Sequence, residues 1–362
     1  MSLAHELTLR PPALGEAPET PGVVFLEFHK GAPYAARCRN IHLRLSRLLQ
    51  SKTATGDPLA DHIARASYEP TASTFQTNWL LYVVGLRAWP DTYHQRLKLR
   101  TPPCLKVHVT NDYPRTSITT RLRSRRALFY GPFRSRAVAE RFEDQFLDFF
   151  QLRRCHENLV PTPEHPGCVY GEMGKCLRPC QVAVTPEEYR AESGRVLAGL
   201  SSRGDSLRQQ LEQARDAASE ALEFETAARN HDRLERLRDT IRLGDDLARD
   251  LDQLHGAIIQ RSYREDEILI WILHRGFLQH PFRFDLTIDA SAPTSLDARL
   301  RSQLELFDLQ AGSLAQREDH LALLRRWQYS SWRKGEMVVF DKLDRLPYRK
   351  LVNAVSRVAS KK

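Results

Sequence analysis

The chain has 362 residues, 54 Lys+Arg against 45 Asp+Glu, and a formal net charge of +9, enough for two or three domains with cores of their own. With 41% hydrophobic and 27% charged residues it has the composition of a folded soluble protein, not a disordered one. Its longest apolar run, Trp79 to Leu86, spans about eight residues where a bilayer needs about 20, and its first residues lack the charged start and apolar core of a secretory signal. A cytoplasmic protein with no membrane partner is expected.

Residues 1–20 are proline-rich and aperiodic and read as a flexible tail. A small α/β unit over 21–100 follows. Gly22–Phe28 alternates as a strand, 33–37 reads as a second, and 40–49 places Ile41, Leu45, Leu48 and Leu49 on one helical face. Asp57 is expected to start another helix with Leu59, Ile63 and Ala64 inward, and 75–89 to form a buried helix ended by Pro90. Residues 101–152 read as a strand meander (105–110, 116–122, 127–131) plus a helix at 135–150. The Cys-, Pro- and Gly-rich stretch 153–186 has too little apolar material to order itself without a metal. Residues 187–254 read as helical, with stripes at Leu207, Leu211, Ala214, Ala218, Leu222 and at Leu234, Leu237, Ile241, and with a break at 229–231 that would make an antiparallel hairpin. A C-terminal mixed α/β domain occupies 255–362, with strands at 255–263, 267–275 and 282–288 and helices at 295–308, 316–331 and 346–359. The fold class is α+β.

Several clusters could carry chemistry. Cys155, Cys168, Cys176 and Cys180 fall within one loop-rich stretch, and soft thiolates suit zinc or an iron–sulfur cluster. The alternative is four buried thiols without a ligand; Cys38 and Cys104 stand apart as core thiols. Tyr34, Arg37 and Arg44 could converge on a phosphodiester, or be a surface cluster on an amphipathic helix. Phe224, between Glu223 and Glu225, interrupts a small-residue helical stretch. Arg121 to Arg126 is a basic run expected on a solvated hairpin edge. Trp327, Tyr329 and Trp332 interleave with cations, either stacking on bases or packing as core at a helix end. Nucleotide-hydrolysis, dinucleotide and common hydrolase motifs are absent from the sequence.

Taken together, these segments resemble the UvrC family of nucleotide excision repair. PGVVFLEF and APYAARCRNIHLRL resemble its GIY-YIG nuclease opening, and LFYGPFRSRAVAERFEDQFLDFFQLRRC the segment leading into its cysteine region. GCVYGEMGKCLRPC resembles its cysteine cluster and ALEFETAARNHDRLERLRD its UVR motif, while HLALLRRWQYSSWRKGEM is closer to short Cho-like relatives. The resemblance implies a DNA-binding repair protein (an excinuclease relative) without the C-terminal RNase H-like nuclease. Tyr34 matches the second motif tyrosine and Arg44 the arginine that contacts the scissile phosphate, while Arg37 stands at a lysine position. Val24 replaces the first tyrosine, Ala36 the motif glycine, His94 an asparagine, and Tyr82 the glutamate that holds Mg²⁺ or Mn²⁺. A nuclease site with little or no metal-dependent cutting is therefore expected. The four cysteines are implied to hold a 4Fe-4S cluster, with zinc as the alternative. Leu222, Phe224, Glu225 and Ala228 are implied to dock on UvrB through the UVR hairpin, although Asn230 and His231 depart from the motif. Two other readings stay open: an active Cho-like 3′ incision endonuclease with a rearranged metal ligand, and a non-enzymatic metal-stabilised adaptor.

Overall fold

The structure is a computed structural model describing residues 5–7, 17–287, 294–310, 312–343 and 345–360. Its front unit is an antiparallel sheet of β1 (His5–Leu7), β2 (Gly22–Phe28), β3 (Tyr34–Cys38) and β4 (Ile63–Pro70), in the order β1-β4-β2-β3. Alternation along β2 gives the sheet two apolar faces. Val24 and Leu26 pack against Ile41 and Leu45 of α1 (Ile41–Gln50), while Val23 and Phe25 pack against Leu81 and Val84 of α2 (Thr74–Ala88). Side chains start both helices: Asn40 accepts from the Leu43 N–H and Ser73 from the Gln76 N–H. The sheet is thus sandwiched between α1 and α2.

Two expectations change here. The segment after Asp57 is not a helix: a single 3-10 turn, Leu59–His62, leads into β4, which pairs with β2 on one side and β1 on the other. Its apolar residues also fit helical spacing, but pairing to two neighbours overrides that local pattern. The second change lies in the expected tail, where His5–Leu7 forms an edge strand.

After α3 (Tyr93–Leu97), the middle unit is a second antiparallel sheet of β5 (Cys104–Val107), β6 (Thr116–Thr119), β7 (Leu128–Gly131) and β8 (Arg249–Asp250), in the order β6-β5-β7-β8. Helix α4 (Arg136–Leu147) lies on it and carries a column of rings: Tyr130 stacks on Phe142 at 5.0 Å, Phe142 on Phe146 at 5.4 Å, and Phe150 lies 5.2 Å beyond. A short helix, α5 (Val169–Glu172), interrupts the cysteine loop. Three long helices follow: α6 (Pro186–Ser201), α7 (Asp205–Glu220) and α8 (Phe224–Arg242). A capping box of Thr185 and Glu188 opens α6, and Gly199 lets α6 approach the ring column, since a Cβ there would lie 3.0 Å from Phe146 Cζ.

The helical break falls at 221–223, not at 229–231, which lie inside α8. Glu223 N–H donates to Ala218 C=O and Leu222 N–H to Ser219 C=O, with Leu222 left-handed (φ 60°). This is the Schellman ending of a helix, built on leucine where glycine is usual, so the sequence carries no glycine to mark it.

The C-terminal unit is a third antiparallel sheet of β9 (His255–Arg261), β10 (Glu267–His274), β11 (Phe277–Leu278), β12 (Phe282–Asp285) and β13 (Glu336–Phe340), packed against α9 (Leu296–Glu305), α10 (Leu314–Gln328) and α11 (Tyr348–Ser360). β13, unforeseen in the sequence, is five residues long and is held by pairing with β9. The end of the expected 282–288 strand lies outside the described residues. Helix α10 is buried over most of its surface between α2 and this sheet: Trp327 packs 5.5 Å from Phe75, which meets Trp271 at 5.2 Å. Three antiparallel sheets with helices packed on their faces bear out the α+β class.

Candidate functional site

Tyr34 and Arg44 meet as the sequence suggested. An Arg44 Nη donates to the Tyr34 hydroxyl, and the guanidinium lies 5.6 Å from the ring centroid. The Arg44 Nε is buried without a partner. Arg37 does not join them. It stands three residues after Tyr34 on a strand, and pairs with Val23 whereas Tyr34 pairs with Leu26, so it lies on the α2 face of the sheet. The expected convergence of three side chains is therefore a pair. Val24, opposite Ala36, is fully buried beneath α1.

Tyr82 is farther still from that pair. On α2 the residues Phe75, Trp79 and Tyr82 form one stripe that turns away from the front sheet into the core shared with α10. Burial, followed by the nearby charge of Asp319, pushes the Tyr82 phenol well above its ordinary range. Asp319, fully buried on α10, accepts from the Tyr93 hydroxyl at 2.8 Å and pairs with His94 Nδ1 at 3.3 Å. Its own carboxyl is pushed up, by burial first. His320 beside it accepts the Leu278 N–H at Nδ1 (3.1 Å) and packs 5.3 Å from Tyr82 and 5.4 Å from Trp79. Tyr82 and His94, at the positions of two functional residues of the resembled family, are thus built into a seam with α10. Sequence reasoning missed Glu318, Asp319 and His320. The one hint was the apolar block Leu321 to Leu324 directly after them, which needs burial on more than one face.

Among the described residues neither Tyr34 nor Arg44 bonds to a carboxylate, and no three His, Cys, Asp or Glu side chains stand ready to hold an ion. A hard divalent cation requires oxygen ligands, so the donor set around Tyr34 and Arg44 does not fit Mg²⁺ or Mn²⁺.

The four loop cysteines lie close enough to influence one another, but among the described residues they do not form a set of three or more that could hold an ion. Burial raises the Cys176 thiol to about 11, with Cys168, Cys155 and Cys180 adding to the effect, and raises Cys180 with Cys168 and Cys155 contributing. Beside them sits Arg153, almost wholly buried. It donates to the carbonyls of Tyr113 (3.0 Å) and Glu157 (3.1 Å) and to Cys155 Sγ (3.5 Å), while one Nη has no partner. A buried cation needs a counter-charge, and among the described residues Arg153 is in no ion pair with a carboxylate. Four metal-bound thiolates would supply such a charge, but the four Sγ atoms are not drawn together as a ligand set among the described residues. Cys104 is buried in the core and Cys38 donates to Gly22 C=O at 3.5 Å; neither belongs to this set.

Leu222, Phe224, Glu225 and Ala228 are all exposed at the tip of the α7–α8 hairpin, Leu222 at 70% and Phe224 at 68%. The basic run 121–126 is not a free hairpin edge: Leu122 is buried and its N–H, with Arg123 Nε, bonds to Glu318 at 2.7 and 3.1 Å. Base stacking fails for Trp327, which is fully buried and donates to Lys334 C=O at 3.0 Å; Trp332 packs on the same core.

A family model for the UvrC/Cho excinuclease middle domain matches residues 102–198, the second sheet, α4 and the cysteine loop. Proteins named UvrABC system protein C match more of the chain. That of Desulfatibacillum aliphaticivorans is 26% identical over 287 residues, covering 78% of this chain and 47% of the relative. That of Thermobifida fusca is 26% identical over 279 residues (70% and 41%), and that of Corynebacterium aurimucosum 27% over 234 (62% and 34%). The chain is similar to UvrC-family proteins over these spans. It spans about a third to a half of the length of these curated relatives. No solved structure matches. No helix among the described residues is long and apolar enough to cross a membrane.

Proposed function

We propose that this chain is a nucleotide excision repair factor that grips DNA and docks on UvrB, and whose front unit does not cut. The relatives' shared name supports the repair role. One observation carries the non-cutting clause: Tyr82, at the place of the family's metal-binding glutamate, is buried against Asp319 and His320, while Tyr34 and Arg44 lie across the front sheet beside α1. Without a carboxylate-held cation the negative charge of a phosphodiester transition state has only Arg44 to meet it, and losing a principal electrostatic contribution costs orders of magnitude in rate.

The rest of the reading concerns binding. Cys155, Cys168, Cys176 and Cys180 would hold a 4Fe-4S cluster, with zinc as the alternative. Either group would cross-link a loop that has little core of its own, and Arg153 would balance the thiolate charge. The exposed Leu222 and Phe224 form an apolar, charge-flanked tip suited to anchoring in a partner's pocket.

The test is a nicking assay on lesion-bearing duplex with Mg²⁺ or Mn²⁺, using protein purified anaerobically and analysed for iron and visible absorbance. The expected result is iron-bearing protein that leaves the DNA intact. Mn²⁺-dependent nicking that disappears on Tyr34→Phe would overturn the reading; nicking that disappears on Asp319→Asn would favour an active endonuclease with a rearranged ligand. For docking, Phe224→Ala is expected to lose capture by immobilised UvrB at least tenfold, and unchanged capture would remove the hairpin from the proposal.

A further inference from the structure

With its aromatics turned inward, the stretch from Arg325 to Lys350 leaves its cations outside, and they are not spread evenly. Beside the C-terminal end of α10 lies a cleft of about 400 Å³ lined by Lys98, Arg100, Arg134, Arg325, Arg326 and Tyr329. Its lining holds five cations and no carboxylate, and among the described residues none of the five is in an ion pair. Elsewhere arginines are commonly matched, as in Arg136–Glu140, Arg208–Glu212 and Arg238–Glu235.

The fold holds these charges together at some cost. Arg325 is pinned by two bonds to Arg134 C=O (3.1 and 2.8 Å), and Arg326 by one to Leu97 C=O (3.2 Å). Arg326 is held below its ordinary range by burial and then by the charge of Arg37, so Arg37, absent from the Tyr34–Arg44 pair, adds to this basic face instead. A second, larger cleft of about 830 Å³ carries Arg203, Arg333, Lys342, Arg345 and Lys350 beside the carboxylates Asp246, Glu336 and Asp341, the last two already paired with Arg357 and Arg249, so that its cations outnumber its carboxylates. Tyr329 joins the two: its hydroxyl donates to Asp245 (2.5 Å), whose carbonyl accepts from Arg203 (3.1 Å).

We infer that these two clefts form one phosphate-binding track, and that the nucleic acid of the proposed repair role runs across the α10 end rather than over Tyr34 and Arg44. This rests on the DNA-binding reading above and gives it a place. The favoured occupant is a duplex backbone. Arginine forks match phosphate oxygens, the small cleft offers only Leu99 and Ala322 as aliphatic lining, and two adjacent basic clefts suit a ligand with repeated charge. Contacts of this kind bind without reading sequence and weaken steeply with salt.

The experiment is fluorescence anisotropy of a labelled duplex containing an unpaired bubble, titrated with full-length protein at several salt concentrations. Lys98→Gln/Arg100→Gln in the first cleft and Arg345→Gln/Lys350→Gln in the second are compared with Arg136→Gln on α4, and all are checked for an unchanged thermal melt. Each cleft variant is expected to bind roughly tenfold more weakly, with the slope of log affinity against log salt shallower by about two, one released counterion per lost contact; Arg136→Gln should match the parent. Tight parental binding with unaltered slopes in both cleft variants would overturn this placement and leave the repair reading standing. A parent that binds no duplex would sink both. Competition by polyglutamate as effective as that by DNA of equal charge would replace the nucleic acid with an acidic protein.

Discussion

The front and middle units are both small antiparallel sheets with helices packed on them, yet they have kept different things. In the middle unit the cysteine loop, Arg153, Tyr189 and the ring column of α4 hold one another: the Tyr189 hydroxyl donates to Pro114 C=O (2.9 Å) and accepts the Arg153 N–H (3.0 Å). Loop and framework residues there share bonds, so neither set can drift alone. In the front unit the core packs from both faces, but the residues of the resembled nuclease site are divided among three places: Tyr34 with Arg44 beside α1, Arg37 toward the basic cleft, and Tyr82 in the α10 seam. A sheet can keep its fold with only its apolar alternation intact; a catalytic site needs every member in place.

The comparison breaks if the front unit is not a packed domain in its own right. The largest effects should therefore come from truncating each core. Phe146→Ala removes the middle of the ring column, against which Gly199 is closely fitted, and should cost about 3–5 kcal/mol; Leu26→Ala, fully buried between β2 and α1, should cost about 2–5 kcal/mol. Chemical denaturation measures both. A Leu26→Ala protein with unchanged stability would mean that the front sheet contributes no core, and the proposed loss of chemistry would then reflect loss of fold.

Much of this was legible because it is local. Asn40, Ser73 and Ser135 cap helices where the pattern placed helix starts, and β2 shows its alternation plainly. The cysteines stood out by type and clustering alone. What escaped notice depends on distant partners. β13 exists through β9, β4 is a strand because β2 and β1 flank it, and the α7–α8 turn uses leucine in a glycine position. The seam was invisible for the same reason. Asp319 and His320 are polar residues on a helix buried nearly all round, and only the arrival of Tyr93, His94 and Tyr82 from more than two hundred residues earlier makes that burial tolerable. Arg37 was misjudged by a rule the sequence did contain, since residues three apart on a strand face opposite ways.

The seam also supplies a smaller test, because it stores a protonation difference. Burial holds the His320 imidazole down at about 3, and its Nδ1 must stay unprotonated to accept the Leu278 N–H. In the unfolded chain the ordinary value is 6.5. Between those values the unfolded state binds the proton and the folded state does not, so stability falls as pH falls, beginning near the unfolded value. At about 1.4 kcal/mol per pH unit, the loss between pH 7 and pH 5 is about 2 kcal/mol. His108 and His255, each lowered to about 4, act in the same direction, whereas Asp319, raised by burial, acts oppositely at lower pH. Subtracting His320→Asn, which keeps an acceptor near Leu278 but cannot take the proton, removes these shared contributions. The difference between parent and variant should shrink toward pH 5. If it stays constant, the imidazole is not sealed, α2 and α10 do not close on Tyr82, and the front unit loses the contact that keeps Tyr82 from Tyr34 and Arg44.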